Sequence, residues 1–293
     1  MSRKITCAAV QMACSRDPKE SMAKAERLIR LAAEKGAQII LLPELFERQY
    51  FCQERRYEYY AFAQRTEENP AVRRCAELAA ELGVVLPVSF YERDGNQLFN
   101  SLAVIDADGS LLGVYRKTHI PDDHYYQEKF YFSPGNTGFK VWKTKYAVIG
   151  AGICWDQWFP ETARSLAVLG AELMFFPTAI GAEPILGTES GLHWQLTMQG
   201  HAAANMIPVI AANRIGLEKV TPCPENGGQE SALSFYGMSF MTNGIGQIAE
   251  SADTAEETVL LHSYDLDALA QARLEWGLFR DRRPECYGAI TKP

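Results

Sequence analysis

Cys154, Glu44 and Lys117 are the residues of this chain whose types and positions fit catalysis. Cys154 closes the run Tyr146-Ala-Val-Ile-Gly-Ala-Gly-Ile-Cys154, which is β-branched and glycine-containing like a buried strand. Pro160 and Glu161, shortly after it, suit the first turn of a helix. A strand-to-helix elbow exposes the side chain at its tip and aims free backbone N–H groups, with the helix's positive end, at whatever that side chain attacks. Such surroundings favour thiolate over thiol. The competing reading of an isolated cysteine is a small buried hydrophobe, and it is the expected one for Cys7, in an alternating strand, and Cys75, in an alanine-rich helix.

Glu44 ends Ile39-Ile-Leu-Leu-Pro-Glu44, and a carboxylate carried out of a buried run has a desolvation cost that a general base would justify. Lys117 ends Leu111-Leu-Gly-Val-Tyr-Arg-Lys117, where a cation can stabilise an oxyanion or lower a thiol's pKa. Glu128, in Tyr126-Gln-Glu-Lys-Phe-Tyr-Phe132, is a fourth candidate. Taken singly, each charge could equally be a solvated strand end or half of a structural ion pair.

The elements that must position these residues follow one theme used twice. Residues 4–11 read as a strand and Pro18 to Lys35 as an amphipathic helix with Met22, Ala25, Leu28, Ile29 and Ala32 on one face; Gly36 and the strand to Glu44 follow. The order recurs as strand 146–153, helix 160–169, then Gly170-Ala-Glu-Leu-Met-Phe-Phe-Pro-Thr178. Asn69-Pro70 caps a helix to Leu82 ahead of Val84–Phe90, as a helix from about His193 to Met206 precedes Ile207–Asn213. Hairpins are expected around Asp106-Ala-Asp-Gly109 and Asn243-Gly244. Two such halves, each a sheet with helices on one face, would bury their bare faces together as a four-layer α-β-β-α sandwich, one domain over residues 1–293. The stretches 45–68, 118–138, 178–192 and 215–235 are irregular, and loops of that length usually serve function or assembly. The tail 277–293, near Trp276 and with Phe279 and Tyr287, is aromatic enough to dock on another subunit.

Composition limits the alternatives. The chain of 293 residues, 47% hydrophobic and 22% charged, can bury a large core, and no stretch approaches the ~20 apolar residues of a membrane span. No signal-peptide region precedes the first strand, so a cytoplasmic protein is expected. Seven scattered cysteines without a Cys-x-x-Cys pair argue against a disulfide framework or zinc ribbon. A net charge of −7 without a basic cluster makes nucleic acid an improbable partner.

Taken together, these residues resemble the nitrilase superfamily of carbon–nitrogen hydrolases. Its Glu–Lys–Cys set matches Leu42-Pro-Glu44 with Phe46, Tyr115-Arg-Lys117 with His119, and Gly152-Ile-Cys154-Trp-Asp156, and its additional glutamate matches Glu128. The resemblance spans roughly residues 4–285 and implies a duplicated four-layer sandwich. It also implies cofactor-free chemistry: Cys154 attacks an amide-type carbonyl, Glu44 moves the proton, and Lys117 with the Trp155 backbone N–H holds the oxyanion. Within the superfamily, Lys117-Thr-His-Ile-Pro-Asp-Asp-His124, Cys154–Glu161 and Phe176-Pro-Thr-Ala-Ile-Gly-Ala-Glu-Pro184 are similar to the group that hydrolyses N-carbamoylputrescine, which implies a small cationic ureido substrate and a place in putrescine formation. The distal ammonium then needs an apolar tube ending in negative charge, for which Trp158 and Tyr50 are the candidate walls and Glu183 and Asp122 the candidate acids.

His119, Asp122, Asp123 and His124 could be read as a metal cluster, but they crowd one loop beside Lys117, whose charge opposes a cation, so no metal is expected. His193 and His201 read as packed or hydrogen-bonded. Two alternatives remain. An enzyme for anionic ureido acids, such as N-carbamoyl-β-alanine or an N-carbamoyl-D-amino acid, should offer arginines near the site. A non-catalytic binding subunit is disfavoured by the joint presence of Cys154, Glu44, Lys117 and Glu128. A homo-oligomer is expected from the tail.

Overall fold

The apolar run behind Lys4 forms strand β1 (Lys4–Gln11), buried along most of its length, as a strand covered on both faces must be. The computed structural model describes residues 2–182 and 190–292. Helix α1 (Pro18–Glu34) opens where the Asp17 side chain accepts the Lys19 N–H and Pro18 occupies the first turn. Its inward face is Ser21, Ala25, Leu28, Ile29 and Ala32, with Met22 half-buried beside it. Strand β2 (Ile39–Leu41) lies parallel to β1. Helix α2 (Pro70–Leu82) starts under Asn69, which accepts the Val72 N–H, and stops at Gly83, whose φ of 68° suits a residue without a Cβ. Strands β3 (Leu86–Asp94), β4 (Gln97–Ile105) and β5 (Leu111–Arg116) follow as an antiparallel meander.

The second half repeats the plan. Strand β6 (Val141–Lys143) pairs antiparallel with β7 (Val148–Ala151); helix α3 (Pro160–Val168), strand β8 (Leu173–Pro177), helix α4 (Ser190–Asn205) and strand β9 (Val209–Ala212) come next, with β7, β8 and β9 mutually parallel. A hairpin, β10 (Ile215–Val220) with β11 (Ser231–Tyr236), precedes β12 (Phe240–Thr242) and β13 (Ile248–Ser251). Strand β14 (Thr258–Asp265) then returns to pair antiparallel with β1, and helix α5 (Leu266–Trp276) follows.

Strand β2 meets β3 through the Ile39–Val85 bridge, with the Ile40 N–H on Val85 O at 3.0 Å and the Val85 N–H on Gln38 O at 2.8 Å. The first sheet therefore runs β14-β1-β2-β3-β4-β5 and the second β6-β7-β8-β9-β12-β13, strand for strand the same arrangement. Cys7, Leu41, Val104 and Tyr115 of one sheet share a core with Ile149, Leu173, Phe175 and Ile210 of the other. Helices α1 and α2 cover the far face of the first sheet, and α3 and α4 that of the second. This is the expected α-β-β-α sandwich, and it sets the ends of β2, β5, β7 and β8 beside one another at the seam.

One expectation is corrected here. The stretch 215–235 is not irregular: Ile215 to Val220 and Ser231 to Tyr236 alternate inward and outward as a half-buried hairpin does. The tail 277–293 carries two short 3₁₀ turns, Pro284–Cys286 and Gly288–Thr291.

Candidate active site

The strand end at Cys154 is a bend held under strain. Cys154 has φ 41°, a left-handed conformation that costs a residue with a Cβ ~1–3 kcal/mol. Asp156, fully buried two residues on, holds it. Its carboxylate accepts the Ile153 N–H at 2.9 Å, the Tyr115 hydroxyl at 2.7 Å, and both the backbone N–H of His119 (3.0 Å) and its Nδ1 (2.8 Å). Gly152 permits the close approach: a Cβ there would lie 2.9 Å from the Phe176 ring and 3.0 Å from Thr162. A 3₁₀ turn, Cys154–Trp158, stands between the cysteine and α3, so the elbow is less direct than expected. Gln157 faces inward, taking the Trp194 indole N–H at 2.6 Å on its side chain and contacting His201 Nε2 at 2.7 Å through its carbonyl.

Beside the bend stands a buried charge cluster. Lys117 Nζ donates to Glu44 Oε1 at 2.8 Å and to Glu128 Oε2 at 2.7 Å, with all three side chains out of solvent. Asn100 Nδ2 donates to Glu44 Oε1 at 2.7 Å and the Tyr50 hydroxyl to Glu128 Oε1 at 2.6 Å. Glu44 Oε2 is buried with no partner among the described residues. An unsatisfied carboxylate oxygen in such a place is costly unless something else uses it. The Cys154 thiol reaches the Ala179 carbonyl at 3.8 Å.

The electrostatics follow from two acids sharing one cation. Burial raises Glu128 to about 7 against the pull of Lys117, and the Glu44 charge pushes the same way. Lys117 is opposed by burial, yet the carboxylates of Glu128 and Glu44 hold it well above its ordinary value, so it stays an ammonium. Burial raises the Cys154 thiol well above its usual range and Glu44 adds to this, with Lys117 only partly opposing. The sulfur is enclosed, with carboxylates as well as a cation around it, so its surroundings work against the thiolate that the elbow alone would favour, and a base beside it is needed to take the proton.

A cavity of about 640 Å³ opens over these groups, lined by Cys154 and Glu128 at its floor and by Trp155, Trp158, Tyr126 and His193 among its walls. Asp122 and Asp123 stand on its rim, exposed. Trp158 and Asp122, a candidate wall and a candidate acid, both line this chamber. Tyr50 is not a wall: it is 1% exposed and sits behind Glu128, because its hydroxyl is taken by that carboxylate and its ring by Tyr126 and Phe235. Glu183 lies outside the described residues. The Trp155 ring is exposed at the mouth, and its backbone N–H has no backbone acceptor among the described residues. His193 is not packed away as expected; it is exposed and lies against Trp158, with ring centroids 4.8 Å apart. Among the described residues no three His, Cys, Asp or Glu side chains are grouped to hold a metal, and His119 is bonded to Asp156 and stacked on Phe159. Sequence reasoning missed Asn100 and Asp156. Asp156 had a signal, an acid two residues after the nucleophile in an otherwise apolar setting; Asn100 had none.

A thiol and a carboxylate on one cavity, with a buried ammonium bonded to that carboxylate and to a second one, define a hydrolase of the thiol amidase class. The model of the carbon–nitrogen hydrolase family matches residues 6–274, and the chain belongs to that family. Among its relatives, an N-carbamoylputrescine amidase of Oryza sativa subsp. japonica is 53% identical over 98% of this chain and 94% of its own. A citrullinase of Francisella tularensis is 50% identical over 98% of both. The crystal structure of a carbon–nitrogen hydrolase from Helicobacter pylori superposes with a TM-score of 0.89, at 33% identity over 99% of each chain. The protein is an amidase.

Proposed function

We propose that this amidase hydrolyses N-carbamoylputrescine to putrescine, carbon dioxide and ammonia. Glu44, through its unpartnered Oε2, takes the Cys154 proton as the sulfur attacks the ureido carbonyl. Lys117 Nζ and the Trp155 N–H receive the oxyanion. Collapse expels ammonia, which carries away the proton held on Glu44 and leaves an S-alkyl thiocarbamate on Cys154. Water, deprotonated by Glu44, then attacks that carbonyl; the thiol leaves and regains its proton, and the carbamic acid released falls apart to carbon dioxide and putrescine. Glu128, braced by Tyr50, fixes the Lys117 ammonium between the two carboxylates. A covalent route suits a urea-type carbonyl, a poor electrophile, by dividing one high barrier into two.

One observation carries the substrate assignment. The described residues lining the cavity include the exposed acids Asp122 and Asp123 and no Lys or Arg, so the chamber favours an ammonium and presents no cation to a carboxylate. The relative named for citrulline makes that ureido amino acid the competing substrate. Ammonia release from N-carbamoylputrescine, citrulline, N-carbamoyl-β-alanine and a neutral ureido alkane of equal length tests the reading: the cation should have the highest kcat/KM, and a preference for either carboxylate-bearing compound would overturn it.

The working protein is further proposed to be a cytoplasmic homo-oligomer built from one domain. All seven cysteines are free, which fits a reducing compartment, and no described helix is long and apolar enough to cross a membrane. Leu192 and Leu196 on α4, and Leu274, Trp276 and Ile290 toward the C-terminus, are large apolar side chains left exposed on the single chain.

A further inference from the structure

The loop after β2 carries two groups of the site: Glu44 at its start and Tyr50, the brace of Glu128, at its end. It does not hold this shape unaided. Leu45, directly after Glu44, has φ 47°, a left-handed conformation that a leucine adopts only under external constraint. The constraint comes from the other half of the molecule. Arg214, between β9 and β10, is fully buried and donates through Nη2 to the carbonyl oxygens of Glu44 (2.6 Å) and Leu45 (3.0 Å), and through Nη1 to Arg48 O (3.2 Å). Nη1 also meets Glu218 Oε1 at 2.9 Å, while Glu218 Oε2 accepts the Tyr50 N–H at 2.6 Å. One ion pair thus grips the loop at Glu44, Leu45, Arg48 and Tyr50, and the guanidinium faces the Tyr50 ring 5.7 Å away.

An ion pair this deep adds little stability over apolar packing of equal volume, because both charges leave water. What it supplies here is geometry. Arginine's planar fork satisfies several carbonyls in fixed directions, which a lysine cannot do, and the bonds end on the backbone of the residue that carries the base.

We propose that Arg214 and Glu218 are positioning residues for the reaction: across the seam between the two halves they fix the loop that presents the Glu44 carboxylate to Cys154 and the Tyr50 hydroxyl to Glu128. This rests on Glu44 acting as the base. Neither residue lines the cavity, so loosening the clamp should disturb the chemical step and leave substrate binding nearly intact. A displacement on the ångström scale at a reacting group is enough to cost about a hundredfold in rate.

The experiment measures kcat and KM with N-carbamoylputrescine for Arg214→Lys and Glu218→Gln, well below each variant's Tm. Glu44→Gln serves as the reference for loss of the base, and Ile29→Val, in the core between α1 and the first sheet, as a control for general destabilisation. Both clamp variants should remain folded, lose about ten- to a hundredfold in kcat and change KM by less than about threefold, while Ile29→Val keeps wild-type kcat. Glu218→Gln carries the test alone if Arg214→Lys does not fold, since an amide can accept from only one of its two present partners. Wild-type kcat in folded Glu218→Gln, or a loss of activity that merely follows the unfolded fraction, would overturn the clamp. A fully active Glu44→Gln would overturn the base assignment instead.

Discussion

Replacing Asp156 with Asn leaves its shape unchanged and removes one acceptor end, which makes it a sharp probe of the bend at Cys154. The carboxylate accepts four hydrogen bonds, two on each oxygen: His119 N–H and Nδ1 on Oδ1, Tyr115 OH and Ile153 N–H on Oδ2. Whichever way the amide turns, its N–H2 faces a backbone N–H, either of His119 or of Ile153, and neither can reverse its role. The tyrosine and the imidazole can adapt, by rotation or a tautomer change. One charge-assisted bond worth ~1.5–3 kcal/mol is lost and two donors are left buried at ~1–3 kcal/mol each, so about 3–5 kcal/mol of stability should go, allowing for relaxation. That corresponds to a fall in Tm of at least about 6 °C. The strained Cys154 backbone should relax toward an ordinary conformation and carry the sulfur off line, so kcat at a temperature where the variant is folded should fall more than tenfold. Thermal unfolding followed by circular dichroism and steady-state ammonia release measure the two effects. A Tm within about 2 °C of wild type, with unchanged kcat, would refute the reasoning that Asp156 maintains the bend.

Other consequences follow from the charge cluster and the chamber. Lys117→Arg keeps the charge but puts a wide fork where a compact ammonium bridges two carboxylates, so kcat should fall by at least about a hundredfold; near-wild-type turnover would remove Lys117 from the mechanism. Because the fold raises Glu128 to about 7 from 4.5, it favours the protonated form. The stability this contributes is complete below the lower value and lost as pH rises through the upper one. The Tm of wild type relative to Glu128→Gln should therefore decline between those pH values, and parallel curves would mean that burial does not raise the Glu128 carboxyl against the pull of Lys117. Glu183→Gln, which removes a candidate acid for the distal ammonium, should lower kcat/KM for N-carbamoylputrescine about ten- to a hundredfold and scarcely affect a neutral analogue; an equal loss on both would mean that it does not read the ammonium.

Local signals in the sequence carried much of this architecture. The Asn69 cap, Gly83, the proline-ended strands and the amphipathic face of α1 each report short-range geometry, and the duplicated order of strand, helix and strand follows from reading them in sequence. What escaped depends on distant partners. The polar residues of the β10–β11 hairpin look like loop until its inward positions find their neighbours, and nothing in Thr258–Asp265 announces an antiparallel pairing with a strand at the opposite end of the chain. The site divides similarly. Cys154, Glu44, Lys117 and Glu128 were legible because each charge or thiol breaks or ends an apolar run. Tyr50 reads as a wall of the chamber because a buried aromatic gives no sign of which way its hydroxyl points. Asn100 and Arg214 act through hydrogen bonds between segments 56 and 170 residues apart, a separation that no spacing rule covers.

The central claim is that Cys154 forms a covalent bond to the substrate's ureido carbon, and rapid acid quench during turnover of N-carbamoylputrescine, followed by peptide mass spectrometry, tests it directly. The peptide containing Cys154 should carry the aminobutylcarbamoyl group left after loss of ammonia, the other six cysteines should remain free, and Cys154→Ala should be folded, unmodified and inactive. Turnover with no adduct on Cys154 at any quench time, together with activity in Cys154→Ala, would contradict the account.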